Sequence, residues 1–266
     1  MDDQDAGTGP LGPEPGFGPA TYGAAFADVY DDWYGNLDTE GATRFLAARA
    51  LAGPAGDVLE LGVGTGRLAL PLAERLAPHG RAVAGVDASV AMVDQLRAKP
   101  GGAALAVTVG DMAGAEPIGP FGVVFVAVNT FFNLDSEAAQ RRCLANVAAR
   151  LAPGGCFVVE AFVPTPAGDR PRDHVGISAL TVDRLVLTAT REDPAEQTVT
   201  GQHVEMVDGS VRLRPWRIRW TTPDQLDRMA ADAGLSLVER YASWSLETFS
   251  SISSSHVSVF QRRGVG

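Results

Sequence analysis

The chain is short of the residues that mark several large classes of protein. Its 266 residues hold only two cysteines, Cys143 and Cys156, so no disulfide framework is expected. No apolar run approaches the roughly 20 residues of a membrane-spanning helix, and no membrane association is expected. The N-terminus shows no basic segment leading into an apolar one, which argues against a secretory leader and for a cytoplasmic location. Positive charge is scarce as well: 22 Lys and Arg stand against 32 Asp and Glu, a net charge of −10. A surface of that sign repels polyanions, so nucleic acid is not an expected partner. No internal repeat is visible.

What is present suits one sizeable α/β domain with a modest appendage, since 45% of the residues are hydrophobic. Residues 1–20 are rich in Gly and Pro, without apolar periodicity, and read as disordered or as an arm ordered by contacts. Residues 21–266 read as a single domain: N-terminal helices over 21–52, a ligand-binding core over 55–163, a β insert over 175–220, and a closing helix and strands over 221–262. Aromatics at 22, 26, 30, 33 and 34 have helical spacing and predict one helix over 22–34. A second helix is expected over 39–51. Strands are then expected near 57–61, 82–86, 105–109, 121–128 and 155–161, alternating with helices near 66–77, 89–98 and 136–151. That alternation is the signature of a parallel sheet. After Phe162 the pattern becomes strictly alternating. It predicts antiparallel strands over 180–190, 197–206 and 210–220, with Asp208-Gly209 as a hairpin turn. Thr222-Pro223 opens a helix that Gly234 stops, and 235–241 and 256–261 read as closing strands.

The most informative stretch is Asp57 to Leu68, D-V-L-E-L-G-V-G-T-G-R-L. A buried-type strand runs straight into Gly62, Gly64 and Gly66, where a backbone without Cβ atoms can turn tightly and admit a ligand. In a doubly wound sheet this first strand-to-helix turn is where a nucleotide-like cofactor sits. The spacing G-x-G-x-G differs from the dinucleotide fingerprint G-x-G-x-x-G. About twenty residues further on, a second strand ends in Asp87, placed to bind a ribose diol. With Glu60 two residues before the first glycine, the stretch resembles motif I of the class I S-adenosylmethionine (SAM) dependent methyltransferases. Val83 to Asp87 resembles motif II, Gly110-Asp111-Met112 the adenine segment, and Leu151 to Gly155 the entry to the fifth strand.

That resemblance implies a doubly wound, Rossmann-like sheet of seven strands in the order 3-2-1-4-5-7-6, the seventh antiparallel. The insert after the fifth strand is similar to that of sugar N,N-dimethyltransferases and glycine/sarcosine-type enzymes. The implied cofactor is SAM, with S-adenosylhomocysteine as its product. Glu60 would help to hold the ammonium, Gly62, Gly64 and Gly66 would admit the methionine and ribose, and Asp87 would accept from the ribose hydroxyls. Ala88, Met92, Gly110, Asp111 and Met112 would surround the adenine, with Val128 bordering the site. Tyr22, Tyr30 and Tyr34 would close over the cofactor carboxylate, against the plain alternative of core packing.

Methyl transfer asks the protein mainly to position a nucleophile and take its proton. The segment after the fourth strand, Ala127 to Asn133, is not the D/N-P-P-Y of enzymes that methylate exocyclic base nitrogens, and it holds no carboxylate for a metal. No metal site is therefore expected. Topology nominates His256, Asn129 and Glu160 as catalytic candidates, because each lies at a strand end on the ligand edge; His is the natural base near neutral pH. The expected reaction is methyl transfer to oxygen or nitrogen of a small metabolite, by a monomer or homodimer, in secondary metabolism. A SAM-binding protein of the same fold that catalyses cyclisation or acts as a scaffold is the alternative, and a nicotinamide-dependent oxidoreductase a weaker one. The insert is expected to form a lid or wall that sets acceptor specificity and leaves cofactor affinity alone.

Overall fold

Val58, Leu59, Glu60 and Leu61 in β1 (Asp57–Leu61) are all buried, as is every residue of β4 (Phe121–Val126). Strands buried on both faces belong to a parallel sheet covered by helices. The computed structural model describes residues 16–114, 116–165, 168 and 171–262. In it β1 runs parallel to β2 (Val83–Asp87) and to β4. β2 pairs in parallel with β3 (Ala106–Val109), and β4 with β5 (Leu151–Phe162). β11 (Ser255–Arg262) lies antiparallel to β5, and β10 (Leu235–Tyr241) antiparallel to β11. The order β10-β11-β5-β4-β1-β2-β3 is the doubly wound seven-stranded sheet expected from the sequence.

Helices cover both faces, and short polar side chains start most of them. Asp38 caps α3 (Thr39–Ala52), Ser89 caps α5 (Val90–Ala98), Ser136 caps α6 (Glu137–Arg150), and a Thr222–Gln225 capping box opens α7 (Pro223–Asp232). Helices α6 and α7 bury Leu144, Val147, Leu226 and Met229 against one face of the sheet. Helix α3 and α4 (Ala69–Leu76) bury Phe45, Leu46 and Leu72 against the other. Among the described residues no helix is long and apolar enough to cross a membrane.

The structure corrects four boundaries. The expected helix over 22–34 is two short ones, α1 (Thr21–Phe26) and α2 (Tyr30–Tyr34). The break lets Phe26 and Trp33 both pack edge-on to the His203 ring, 5.6 and 5.5 Å away, while Asp28 turns to Arg214. The helix expected from 66 starts at Ala69, because Gly66 has φ +81°. The strand expected to reach 128 stops at Val126, because Val128 and Asn129 have φ of 52° and 62°. Finally, the insert has four strands, not three: β6 (Arg172–Leu180), β7 (Arg184–Asp193), β8 (Thr198–Val207) and β9 (Ser210–Arg219). The strand expected over 180–190 contains a turn, in which the Thr181 N–H donates to the Arg184 carbonyl at 2.8 Å.

The four strands form a separate antiparallel sheet, β6-β7-β8-β9. Its outer face leaves Val175, Ile177, Val211 and Leu213 exposed. Its inner face holds α1 and α2. Arg214, with its side chain 2% exposed, donates to Asp28 Oδ1 at 2.7 Å, to the Ala25 carbonyl at 2.5 Å and to Glu205 Oε2 at 2.7 Å. Removing the cation leaves Glu205 Oε2 without its donor, with Arg184 still holding Oε1, and losing one arm of a buried pair costs more than the pair itself contributes. Arg214→Met is expected to lower stability by about 2–4 kcal/mol in denaturant unfolding. A loss below ~0.5 kcal/mol would show that the network does not hold the N-terminal helices.

Candidate active site

The turn after β1 is built as its glycines require. Gly62, Gly64 and Gly66 have φ of 72°, 53° and 81°, in the left-handed region where a side chain is strained. A Cβ on Gly62 would also collide with the Thr130 side chain, whereas one on Gly64 would meet nothing within 4 Å. That open space is the cleft. Asp87 ends β2 beneath it, with Oδ2 accepting from the Gly64 N–H at 2.8 Å and Oδ1 from the Ser89 N–H at 2.8 Å. Burial raises the Asp87 pKa, against the pull of those two amides. Each oxygen keeps a lone pair for a further donor.

The cleft gathers most of the residues that the motifs single out. Gly62, Gly64, Asp87, Ala88 and Met92 form its floor, Asp111 and Met112 its far end, and Tyr22 and Tyr30 its cover. Asp111 Oδ1 is engaged by the Ala113 N–H at 2.9 Å. Gly66 and Gly110 shape the backbone around the cleft without lining it; the Gly110 N–H donates to the Asp87 carbonyl at 2.9 Å. Tyr34 stands behind the cover, where its hydroxyl accepts from Tyr22 at 3.2 Å. Burial holds the Tyr22 phenol well above its ordinary pKa and pushes Tyr30 up to about 12.

Glu60 lies under the glycine turn, 5% exposed, with a hydrogen bond from the Ala69 N–H and no partner for Oε2. Burial drives its pKa well above the usual carboxylate range; nearby Arg67 lowers it and Asp87 raises it. Glu60 does not itself line the cleft, but an orphaned carboxylate oxygen under the glycine turn suits a ligand that brings an ammonium. With the ribose-ready Asp87 and the Cβ-free turn, the residues present fit SAM.

The three catalytic candidates lie outside this lining. His256 is fully buried on β11, its Nδ1 2.8 Å from Ser258 Oγ and its Nε2 without a partner. Burial, helped by Arg240, lowers its pKa to about 3, so the imidazole is neutral near pH 7. Asn129 and Glu160 instead bind each other's strand ends. Glu160 Oε2 accepts from the Val128 N–H at 2.8 Å, Asn129 Oδ1 from the Phe162 N–H at 2.6 Å, and the Asn129 N–H donates to the Glu160 carbonyl at 3.2 Å. Burial raises the Glu160 pKa. Val128 is half-buried beside this turn and does not line the cleft. Together these bonds hold a β-branched residue and its neighbour in a conformation costing of order 1–3 kcal/mol each.

Sequence reasoning passed over several lining residues. Phe17, Thr21, Thr130, Asp135, Arg142 and Arg217 also face the cleft. Arg217 belongs to β9, so the insert reaches the cleft itself. Gly23 lets α1 sit on the Ser89 Cβ, with which a side chain there would collide. Asp31 ties α2 to the glycine turn through Thr65 Oγ1 at 2.6 Å and Lys99 Nζ at 2.6 Å. The excess of arginine in β9 was the one available signal.

Comparison with known proteins bears on this geometry. Residues 58–155 match a family model described as a methyltransferase domain. The CcbJ methyltransferase from Streptomyces caelestis is 37% identical, with a TM-score of 0.84, over 93% of this chain and 100% of that one. The sugar N-methyltransferase KedS8 from Streptoalloteichus is 19% identical, with a TM-score of 0.65, over 97% of this chain and 100% of its own. CalS10 from Micromonospora echinaspora, an amino pentose methyltransferase solved with SAM bound, is 21% identical, with a TM-score of 0.64, over 94% and 100%. The last two likenesses concern the fold. No curated protein matches the chain.

Two measurements test the cleft. Asp87→Ala is expected to weaken SAM binding at least about tenfold, since a charge-assisted hydrogen bond contributes roughly 1.5–3 kcal/mol; unchanged affinity by titration calorimetry would remove Asp87 from the site. Glu60 should report the ligand ammonium. Burial raises its pKa, and a bound cation favours the ionised form. SAM binding on the acid side of neutrality should therefore release a proton, seen as a dependence of binding heat on buffer ionisation enthalpy, and Glu60→Gln should abolish that dependence. Proton uptake on binding would contradict the assignment.

Proposed function

This chain belongs to the SAM-dependent methyltransferases, and on that premise we propose that it methylates an amine nitrogen of a small metabolite in natural-product metabolism. The observation that carries this reading is the polar lining beside the glycine turn. Apart from the charged Asp87, Asp111, Asp135, Arg142 and Arg217, it offers phenols, hydroxyls and an amide, from Tyr22, Tyr30, Thr21, Thr130 and Asn133. Among the described residues none of the four histidines lines the cleft. An alcohol keeps its proton far above neutral pH and needs a base aligned with it. An amine in its neutral form already has a nucleophilic lone pair and needs chiefly to be placed.

The cofactor supplies an electrophilic methyl group on a sulfonium. Asp87, Asp111 and the backbone of Met112 would hold its nucleoside, and Glu60 its ammonium. Tyr22 and Tyr30, protonated at neutral pH, serve as hydrogen-bonding cover and exclude water from the transfer path. Glu160, Asn129 and Val128 act one step removed: they fix the turn that carries Thr130 and Asn133. His256 supports β11 from within the core. Two fold relatives are described as a sugar N-methyltransferase and as an amino pentose methyltransferase involved in calicheamicin biosynthesis, which supports an amine acceptor and a biosynthetic setting. Both cysteines are free thiols, in keeping with a reducing, cytoplasmic compartment.

The test is formation of S-adenosylhomocysteine with matched acceptor panels, amino sugars and cyclic secondary amines against their hydroxyl analogues. Turnover is expected with amines. Its rate should rise with pH along the acceptor's own ionisation, and His256→Gln should keep turnover within about threefold, since this imidazole lies outside the cleft lining and burial makes it too weak a base to take the acceptor's proton. Turnover of alcohols alone, or loss of the pH profile in His256→Gln, would overturn the reading.

A further inference from the structure

The arginines of the insert sheet have acidic partners with one exception. Arg172 pairs with Glu192, Arg184 with Glu205, and Arg191 with Asp173. Arg212 and Arg214 pair with Asp28, and Arg219 with Glu137. Arg217 has no hydrogen bond or ion pair among the described residues. Its Nε is enclosed and without an acceptor, while the side chain lines the cleft. A buried donor left unmade is costly, and native proteins retain few of them. A second one lies close by. Gln202 of β8 pairs with Pro215, next but one to Arg217 and on the same sheet face, and its enclosed Nε2 also lacks an acceptor. From the α6 side, Arg142 lines the same cleft, exposed and equally without a partner. Asp135 lines the cleft too but forms an ion pair with neither.

We propose that Arg217, assisted by Arg142, binds an oxyanion of the acceptor, a carboxylate or a phosphate, and so selects which small molecules are methylated. The assignment to the acceptor rests on the methyl-transfer reading of the cleft. It follows from the position of the cations. The glycine end, where the methionine part of the cofactor belongs, already has Arg67 behind the lining, donating to Thr39 Oγ1 at 2.9 Å and close to Tyr30 and Glu60. Arg217 comes from a different element, the insert, which meets the cleft through β9. A guanidinium presents paired N–H groups that match carboxylate or phosphate oxygens. In a chain of net charge −10, two guanidiniums that line one cleft without a carboxylate partner among the described residues run against the overall field and favour an anion there.

The test separates this inference from the cofactor reading by measuring binding, not turnover. Wild type, Arg217→Gln and Arg142→Gln are first titrated with S-adenosylhomocysteine. Each saturated protein is then titrated with pyrophosphate, with succinate, and with uncharged succinamide. The expected result is that pyrophosphate or succinate binds the saturated wild type, that succinamide does not, and that Arg217→Gln weakens the oxyanion at least tenfold with S-adenosylhomocysteine affinity within twofold. Arg142→Gln, at an exposed position that does not threaten folding, should weaken it severalfold. Binding of pyrophosphate alone identifies a phosphate-bearing acceptor, and of succinate alone a carboxylate. The proposal fails if neither oxyanion binds wild type, or if both variants bind it unchanged. It also fails if Arg217→Gln loses S-adenosylhomocysteine affinity as steeply as oxyanion affinity, since Arg217 would then serve the cofactor.

Discussion

The site depends on one carboxylate. Asp87 accepts from Gly64 on one side and Ser89 on the other, and so joins the glycine turn to the start of α5. Ser89 caps that helix and is also the surface on which Gly23 seats α1. Strand end, turn, helix and N-terminal cover therefore share a single electrostatic anchor. Two backbone amides offset much of the cost of burying its charge, so the anchor stays ready for a ligand's hydroxyls.

The order of the central sheet and the residues at its ligand edge were legible because they follow from local rules. Runs such as Val83 to Asp87 and Phe121 to Val126 are apolar throughout because both sheet faces are covered, and the glycines mark the one turn that must pass close to a ligand. What sequence did not reveal is tertiary in origin. Nothing local distinguishes Asp28, which leaves its helix to meet Arg214, from Asp31, which stays to meet Thr65. β6 escaped notice because its larger apolar residues, Val175, Ile177 and Leu180, are exposed and its first positions, Arg172, Asp173 and His174, are polar. Val128 reads as a strand residue by composition; only the hydrogen bond to Glu160 pulls it out of the strand. His256 read as a base by its place at the edge, and the packing around it makes it a core residue.

The insert and the N-terminal helices form one unit over the cleft. The inner face of the insert grips α1 and α2 through Arg214, and β9 sends Arg217 into the cavity. The cover of the cleft and its β9 wall are thus parts of the same packed body, and the N-terminal segment is held by the added sheet as well as by the central one.

The two sides of the cleft differ in what they can do. On the β4 side, three hydrogen bonds hold Val128 and Asn129 in a left-handed turn whose release would fray the ends of two central strands. On the other side, α1 and α2 are one or two turns long and rest on ion pairs at Asp28 and Asp31 that are partly open to water. Strain fixed between rigid strands makes the first wall a stator. The second wall is tied in part by pairs open to water, such as Lys99 with Asp31, and since ionic strength weakens exposed pairs and spares buried ones, salt reaches one side of the cleft and not the other.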